Sequence, residues 1–203
     1  NKNKWALWGG VYISGGGATA NYPEGSLNTE LIGLSLLSAF QGAYLGTGSQ
    51  YLKASSLYLT GTAGFSYAIN EQFSAGLGVR YINATNKTKA GTELIGDFGN
   101  LPVNMEQEDN ANGIAAVISL NARPIEKLNI AIRLETNTKL NFKTKQKVDD
   151  LEQSSGGMAE LVTDGAENRR DLPGLAGIGF GYEFSKSFRA TAEMNYYFQQ
   201  HAD

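Results

Sequence analysis

The stretch LYLTGTAGFSYAINEQFSAGLGVRYINAT, residues 57–85, alternates apolar positions with small or polar ones at a period of two. Leu57, Leu59, Ala63, Phe65, Tyr67 and Ile69 fall on one face; Tyr58, Thr60, Thr62, Ser66 and Ala68 fall on the other. Beyond residues 70–72 the pattern resumes. Phe73, Ala75, Leu77, Val79 and Tyr81 stand against Ser74, Gly76, Gly78 and Arg80. Successive side chains of a strand point to opposite faces, and two such runs joined this tightly make a hairpin.

The same unit recurs downstream. Residues 113–121 and 128–142 flank the turn ARPIEK, with Leu128, Ile130, Ile132 and Leu134 on one face. Leu140 and Phe142 are expected to continue that apolar face. Residues 175–184 and 188–198 form a third hairpin around SKS, with Phe188, Ala190, Ala192, Met194, Tyr196 and Phe198 aligned. Residues 5–16 read as a further strand with less regular alternation. Arg80, Arg133, Glu135, Arg189 and Glu193 all fall on the polar faces, which would be a polar lumen or simply the wet side of a sheet.

The connections are unequal. Short turns near Asn70, Pro124 and Ser185 alternate with long polar segments, residues 86–112 and 144–173. In antiparallel order all short turns then lie at one end and all long segments at the other, as in bacterial outer-membrane barrels. A soluble meander can share the asymmetry, since loop length varies freely. Strand length favours the membrane barrel: residues 128–142 far exceed the roughly five or six usual in soluble sheets.

Composition excludes several functions. The 203 residues are 41% hydrophobic and 18% charged, with 17 basic and 20 acidic side chains and a net charge of −3. No basic excess is present to hold nucleic acid. Cysteine is absent and the single histidine is His201, which removes thiolate chemistry, His-rich metal sites and the Ser-His-Asp arrangement. Ser14 to Ala18, SGGGA, lacks the lysine of a phosphate loop, and Glu106, Glu108 and Asp109 do not fit an EF-hand. No enzyme, cofactor or metal is therefore expected.

The longest apolar run, residues 31–40, is too short for a spanning helix, and residues 1–10 carry no signal peptide. Residues 20–56 break the strand pattern and are expected to be an extracellular loop region with a short helix. Leu27, Leu31, Leu34 and either Leu37 or Ser38 recur at helical spacing, with Asn28 or Thr29 as cap and Gly42, Gly46 and Gly48 as terminators. Such a helix either presents an apolar ligand surface or packs as a plug against its own barrel.

Residues 51–89, YLKASSLYLTGTAGFSYAINEQFSAGLGVRYINATNKTK, resemble the family of outer-membrane long-chain fatty-acid and hydrocarbon transporters. Tyr67, Asn70, Phe73, Ser74, Gly76 and Gly78 stand at the matching points. Residues 125–143 resemble that family's strand after a proline-containing turn. Residues 171–198 resemble its Leu-Pro-initiated hairpin, through Leu172, Pro173, Gly179, Tyr182 and Phe188. The likeness covers most of residues 50–198.

The resemblance implies a 14-stranded antiparallel transmembrane barrel with an N-terminal hatch, capture of hydrophobic molecules at extracellular loops, and release through a lateral opening. About seven strands are countable here, no hatch-like segment precedes them, and YYFQQHAD at residues 196–203 does not read as a closing strand. All 203 residues are thus expected to form an incomplete portion of one barrel domain in a Gram-negative outer membrane, with a helical loop insertion.

By the same implication, Leu31, Leu34, Leu37 and Phe40 are the candidate ligand contacts. The expected partners are hydrophobic small molecules such as long-chain fatty acids, together with outer-membrane lipid. The alternative is a non-transporting barrel, a secretion or assembly partner whose extracellular loops dock another protein.

Overall fold

The computed structural model describes residues 4–40, 42–157 and 159–201. Its strands are β1 (Trp5–Tyr22), β2 (Gly46–Ala68), β3 (Phe73–Ile95), β4 (Leu101–Ile125), β5 (Leu128–Glu135), β6 (Asn141–Asp149), β7 (Glu167–Arg169), β8 (Gly174–Ser185) and β9 (Phe188–Phe198). Helix α1 (Leu27–Ala39) separates β1 from β2, and α2 (Asp150–Ser155) follows β6.

The strands form one antiparallel sheet in the order β1-β2-β3-β4-β5-β8-β9, with β6 on β4 and β7 on β6. Since β6 prolongs β5 and β7 prolongs β8, the nine strands make seven runs across the sheet. Among the described residues the sheet is not closed: β1 and β9 are free edges. The architecture is a curled, incomplete barrel with a helical insertion.

The alternation of the first hairpin sets the two faces of the whole sheet. Leu7, Phe65, Leu77, Ile118, Leu134, Ala176 and Tyr196 are partners in succession from one edge to the other. A parallel row runs through Trp5, Tyr67, Ala75, Leu120, Ile132, Ile178 and Met194. The large apolar side chains of these rows, half-buried Ile178 apart, stay exposed on the convex face; Leu7 is 75% and Leu77 50% accessible. The opposite face is concave. Trp8 and Tyr12 of β1 line one hollow with Arg133 of β5. Strands four places apart in a flat sheet would lie about 19 Å from each other, so the sheet must curl.

Short turns gather at one end. There the Asn70 carboxamide oxygen accepts from the Gln72 and Phe73 amides at 2.9 and 2.8 Å, which closes the first hairpin. At the other end β2, β3 and β4 run on for 23, 23 and 25 residues. Much of the segment 86–112, expected to be loop, is therefore strand, with only residues 96–100 connecting β3 to β4. The polar residues of the outward face hid it. Lys87 pairs with Glu108 at 3.4 Å and Lys89 with Glu106 at 2.8 Å across the ladder, so the outward face is held without apolar residues while Leu94 and Val103 are buried on the inward one. Of residues 20–56, 46–56 likewise continue β2.

The expected unbroken strand 128–142 is interrupted at residues 136–140. Val117 of β4 pairs with Glu135, yet Asn110 pairs with Lys143, so the second strand carries one extra residue between these pairs. A one-residue slip exchanges the faces. Leu140 and Phe142 consequently turn inward, 0% and 1% accessible, instead of continuing the outer apolar face. The neighbouring strand follows the detour in register through Thr138 and Leu172.

Candidate ligand-handling site

Two features of the concave side could receive a ligand: the inner wall beside the strand break, and the helix across the long-strand end. Helix α1 is capped two or three residues before its expected caps, Asn28 or Thr29. Ser26 precedes it, and the Thr29 hydroxyl accepts from the Ser26 amide at 2.7 Å while donating to the Ser26 carbonyl at 2.8 Å. The helix ends at Ala39, and Gly42 follows with φ of 89°, a conformation in which glycine carries no steric penalty.

One face of α1 is buried. Thr29, Gly33 and Leu36 are covered, and Ile32, Leu37 and Phe40 pack around a cluster with Leu94 and Val103 of the sheet and Leu151 of α2. Leu94 and Val103 belong to the concave face, so α1 lies inside the curl. The other face carries Leu27, Leu31 and Leu34 at 74%, 52% and 52% accessibility. The four expected contacts thus divide. Leu31 and Leu34 lie on the exposed face, away from the wall. Leu37 and Phe40 are half-buried against it, Phe40 meeting Tyr44 edge to face at 5.4 Å.

A second support of this end is Asp149, whose side-chain oxygens accept from the amides of Leu151, Glu152, Leu161 and Val162 at 2.6–3.1 Å. It caps α2 and folds the following segment back over the Leu36 cluster.

Lower on the concave wall, the Trp8 ring lies across Gly64 and Gly78; a Cβ at either position would overlap it. Trp8, Tyr12, Thr62, Val117, Ser119 and Arg133 border a hollow of about 360 Å³. Between it and the strand break, the fully buried Glu135 carboxylate is ion-paired with both Arg80 and Arg133. Arg80 also donates to the Thr138 hydroxyl at 3.1 Å. Leu140 and Phe142 then pack on Ala84 and Ala111, and Gly113 leaves room for the backbone of Lys139.

Among the described residues no cluster of three or more His, Cys, Asp or Glu could hold a metal. The acidic group at 106–109 is divided between faces: Glu106 and Glu108 meet lysines on the convex side, whereas Asp109 accepts from the Thr144 hydroxyl at 2.7 Å on the concave side. SGGGA lies within β1, where Gly16 takes φ of 76° and passes too close to the Ser56 carbonyl for a Cβ.

Neither a protein-family model nor a curated protein matches the sequence. Among solved structures the chain is similar to the crystal structure of a Pseudomonas aeruginosa FadL homologue. Identity is 13% and the TM-score 0.51, over 76% of this chain and 45% of that one. What the two share is the fold. The chain spans less than half the length of that structure.

Sequence reasoning placed Arg80, Arg133 and Glu135 on the polar face but gave no sign that they meet. It missed Trp8, Gly113 and the inward turn of Leu140 and Phe142. The available signal was polar Thr136 and Thr138 at positions where the outer alternation calls for apolar residues.

Proposed function

We propose that this chain is part of the wall of an outer-membrane barrel that takes up hydrophobic small molecules, such as long-chain fatty acids, by binding and passive transfer. The observation that carries this reading is the interruption of the wall. Residues 111–115 of β4 have no ladder partner on the β5–β6 side, because β6 resumes pairing only at Asn110. The gap lies at the level of Ile114, itself 66% exposed on the apolar convex face. A break there supports a lateral exit toward hydrocarbon.

The stripe of Leu27, Leu31 and Leu34 supports an apolar entry surface. Transfer of an acyl chain out of water onto it would yield about 25 cal/mol per Å² covered. Leu37 and Phe40 would shape that surface from below. The convex rows supply the lipid-facing exterior, and closure into a 14-stranded barrel would satisfy the free edges of β1 and β9, which hydrocarbon does not tolerate.

A second reading, a barrel acting as a secretion or assembly partner, draws on the dense packing of Leu140, Phe142, Ala84 and Ala111 on the concave face. Uptake of labelled long-chain fatty acid into cells producing the full-length protein separates the two. Leu31→Ser with Leu34→Ser should lower uptake several-fold while the heat-modifiable gel mobility of the folded barrel is kept. Undiminished uptake by that variant would remove the α1 stripe from the path, and no uptake by the parent protein would favour the second reading.

A further inference from the structure

The convex face changes character abruptly toward the long-strand end. On β3 the outward series Phe73, Ala75, Leu77, Val79, Tyr81 gives way to Asn83 and Thr85, then Lys87 and Lys89. On β4 Ile114 is followed, toward the same end, by Asn112, Asn110, Glu108 and Glu106. Lys145 stands beside Glu108, and Glu108 beside Lys87; Lys53 stands beside Lys89. Phe142 and Thr144 point inward, so Lys143 and Lys145 between and beyond them point outward, and Lys147 is exposed in the adjoining bulge. The strand slip that turns Leu140 and Phe142 inward therefore also places this lysine series outside.

Positive charge predominates in the band. Glu106 and Glu108 are taken up by Lys89 and Lys87. Glu167 is the ladder neighbour of Lys143. Among the described residues Lys53, Lys143, Lys145 and Lys147 have no carboxylate within ion-pair distance. A net acidic chain thus carries six of its eleven lysines on one face, immediately beyond an apolar belt. The band is also deep: the levels of Lys143, Lys145 and Lys89 follow Asn110, Glu108 and Glu106 of β4, about 13 Å along the strand. A headgroup with one phosphate offers its charge at a single depth.

We propose that the band docks a glycolipid bearing several phosphates at different distances from its acyl chains, which would lie against the convex apolar rows below. Lysine serves this purpose as a mobile point charge that finds phosphate oxygens without fixed geometry. The inference depends on the convex face meeting lipid and is independent of whether the barrel transports anything.

The full-length protein in neutral detergent would be mixed with lipopolysaccharide, with phosphatidylglycerol as a one-phosphate lipid, or with phosphatidylcholine. Retained lipid after size exclusion is then measured. Lipopolysaccharide should be retained in preference to both, less so as salt is raised. Lys143→Gln, Lys145→Gln and Lys147→Gln together should weaken retention at least about tenfold. The corresponding triple arginine variant should bind as the parent does, and so should Lys127→Gln with Lys186→Gln at the short-turn end. Equal retention by the triple glutamine variant, or equal retention of phosphatidylglycerol, would overturn the proposal. Heat-modifiable mobility of each variant verifies that the barrel is folded.

Discussion

Glu135 is held between two guanidinium groups on the inner wall, and the second of its partners, Arg80, also reaches Thr138 beyond the strand break. The break is thereby tied to β3 through charge at a place where β4 offers no ladder. A buried charge stripped of its partner is costly, so Glu135→Leu should destabilise the folded protein by about 3 kcal/mol. Removing Arg80 as well, in Glu135→Leu with Arg80→Leu, should recover part of that loss. Both effects can be read from unfolding in denaturant in detergent. A single variant as stable as the parent would show that the ion pairs do not hold the break. These three charged residues were legible in sequence as members of a polar face, but their meeting depends on a detour of the chain that periodicity does not record.

Among the elements, the interrupted strand and α1 carry the most consequence. The β5–β6 run gains one residue against β4, and small residues opposite it make the inward turn feasible. Gly113 is the tightest point, where a side chain would collide with the Lys139 carbonyl and with Thr138 and Leu140. Gly113→Val should therefore push residues 138–140 off the wall and cost about 1–3 kcal/mol, measured as a lower unfolding midpoint. An unchanged midpoint would mean the segment can move aside freely. Helix α1 was recognisable from leucines three and four apart, yet both of its faces are apolar. Spacing alone could not tell which leucines would be buried; contact with Leu94 and Val103 decided that Leu36 and Leu37 lie inward and Leu31 and Leu34 outward.

For the whole molecule, the determining property is a convex apolar surface continuous over seven strand runs. None of the described residues covers it, and a patch of this extent is foreign to soluble monomers. If it faces hydrocarbon, Leu77→Arg near the middle of the belt should cost about 2–4 kcal/mol of folding stability in bilayers. Thr191→Arg, on the concave side of β9, should be close to neutral. Equal effects at the two positions would show that the faces do not differ in surroundings, and the membrane reading would fail with them.

The sequence by itself determined the strand alternation, the three tight hairpins, the existence of a helix after β1 and the division into an apolar and a polar face. Each of these is set by neighbours a few residues apart, and a period of two or of three to four is visible without any partner. Tertiary structure alone decided that polar residues 86–95 and 101–112 are paired strands, that Leu140 and Phe142 reverse their side, and that α1 lies within the curl. Those outcomes depend on register between segments distant in the chain, where a slip of one residue moves a side chain from one face of the sheet to the other.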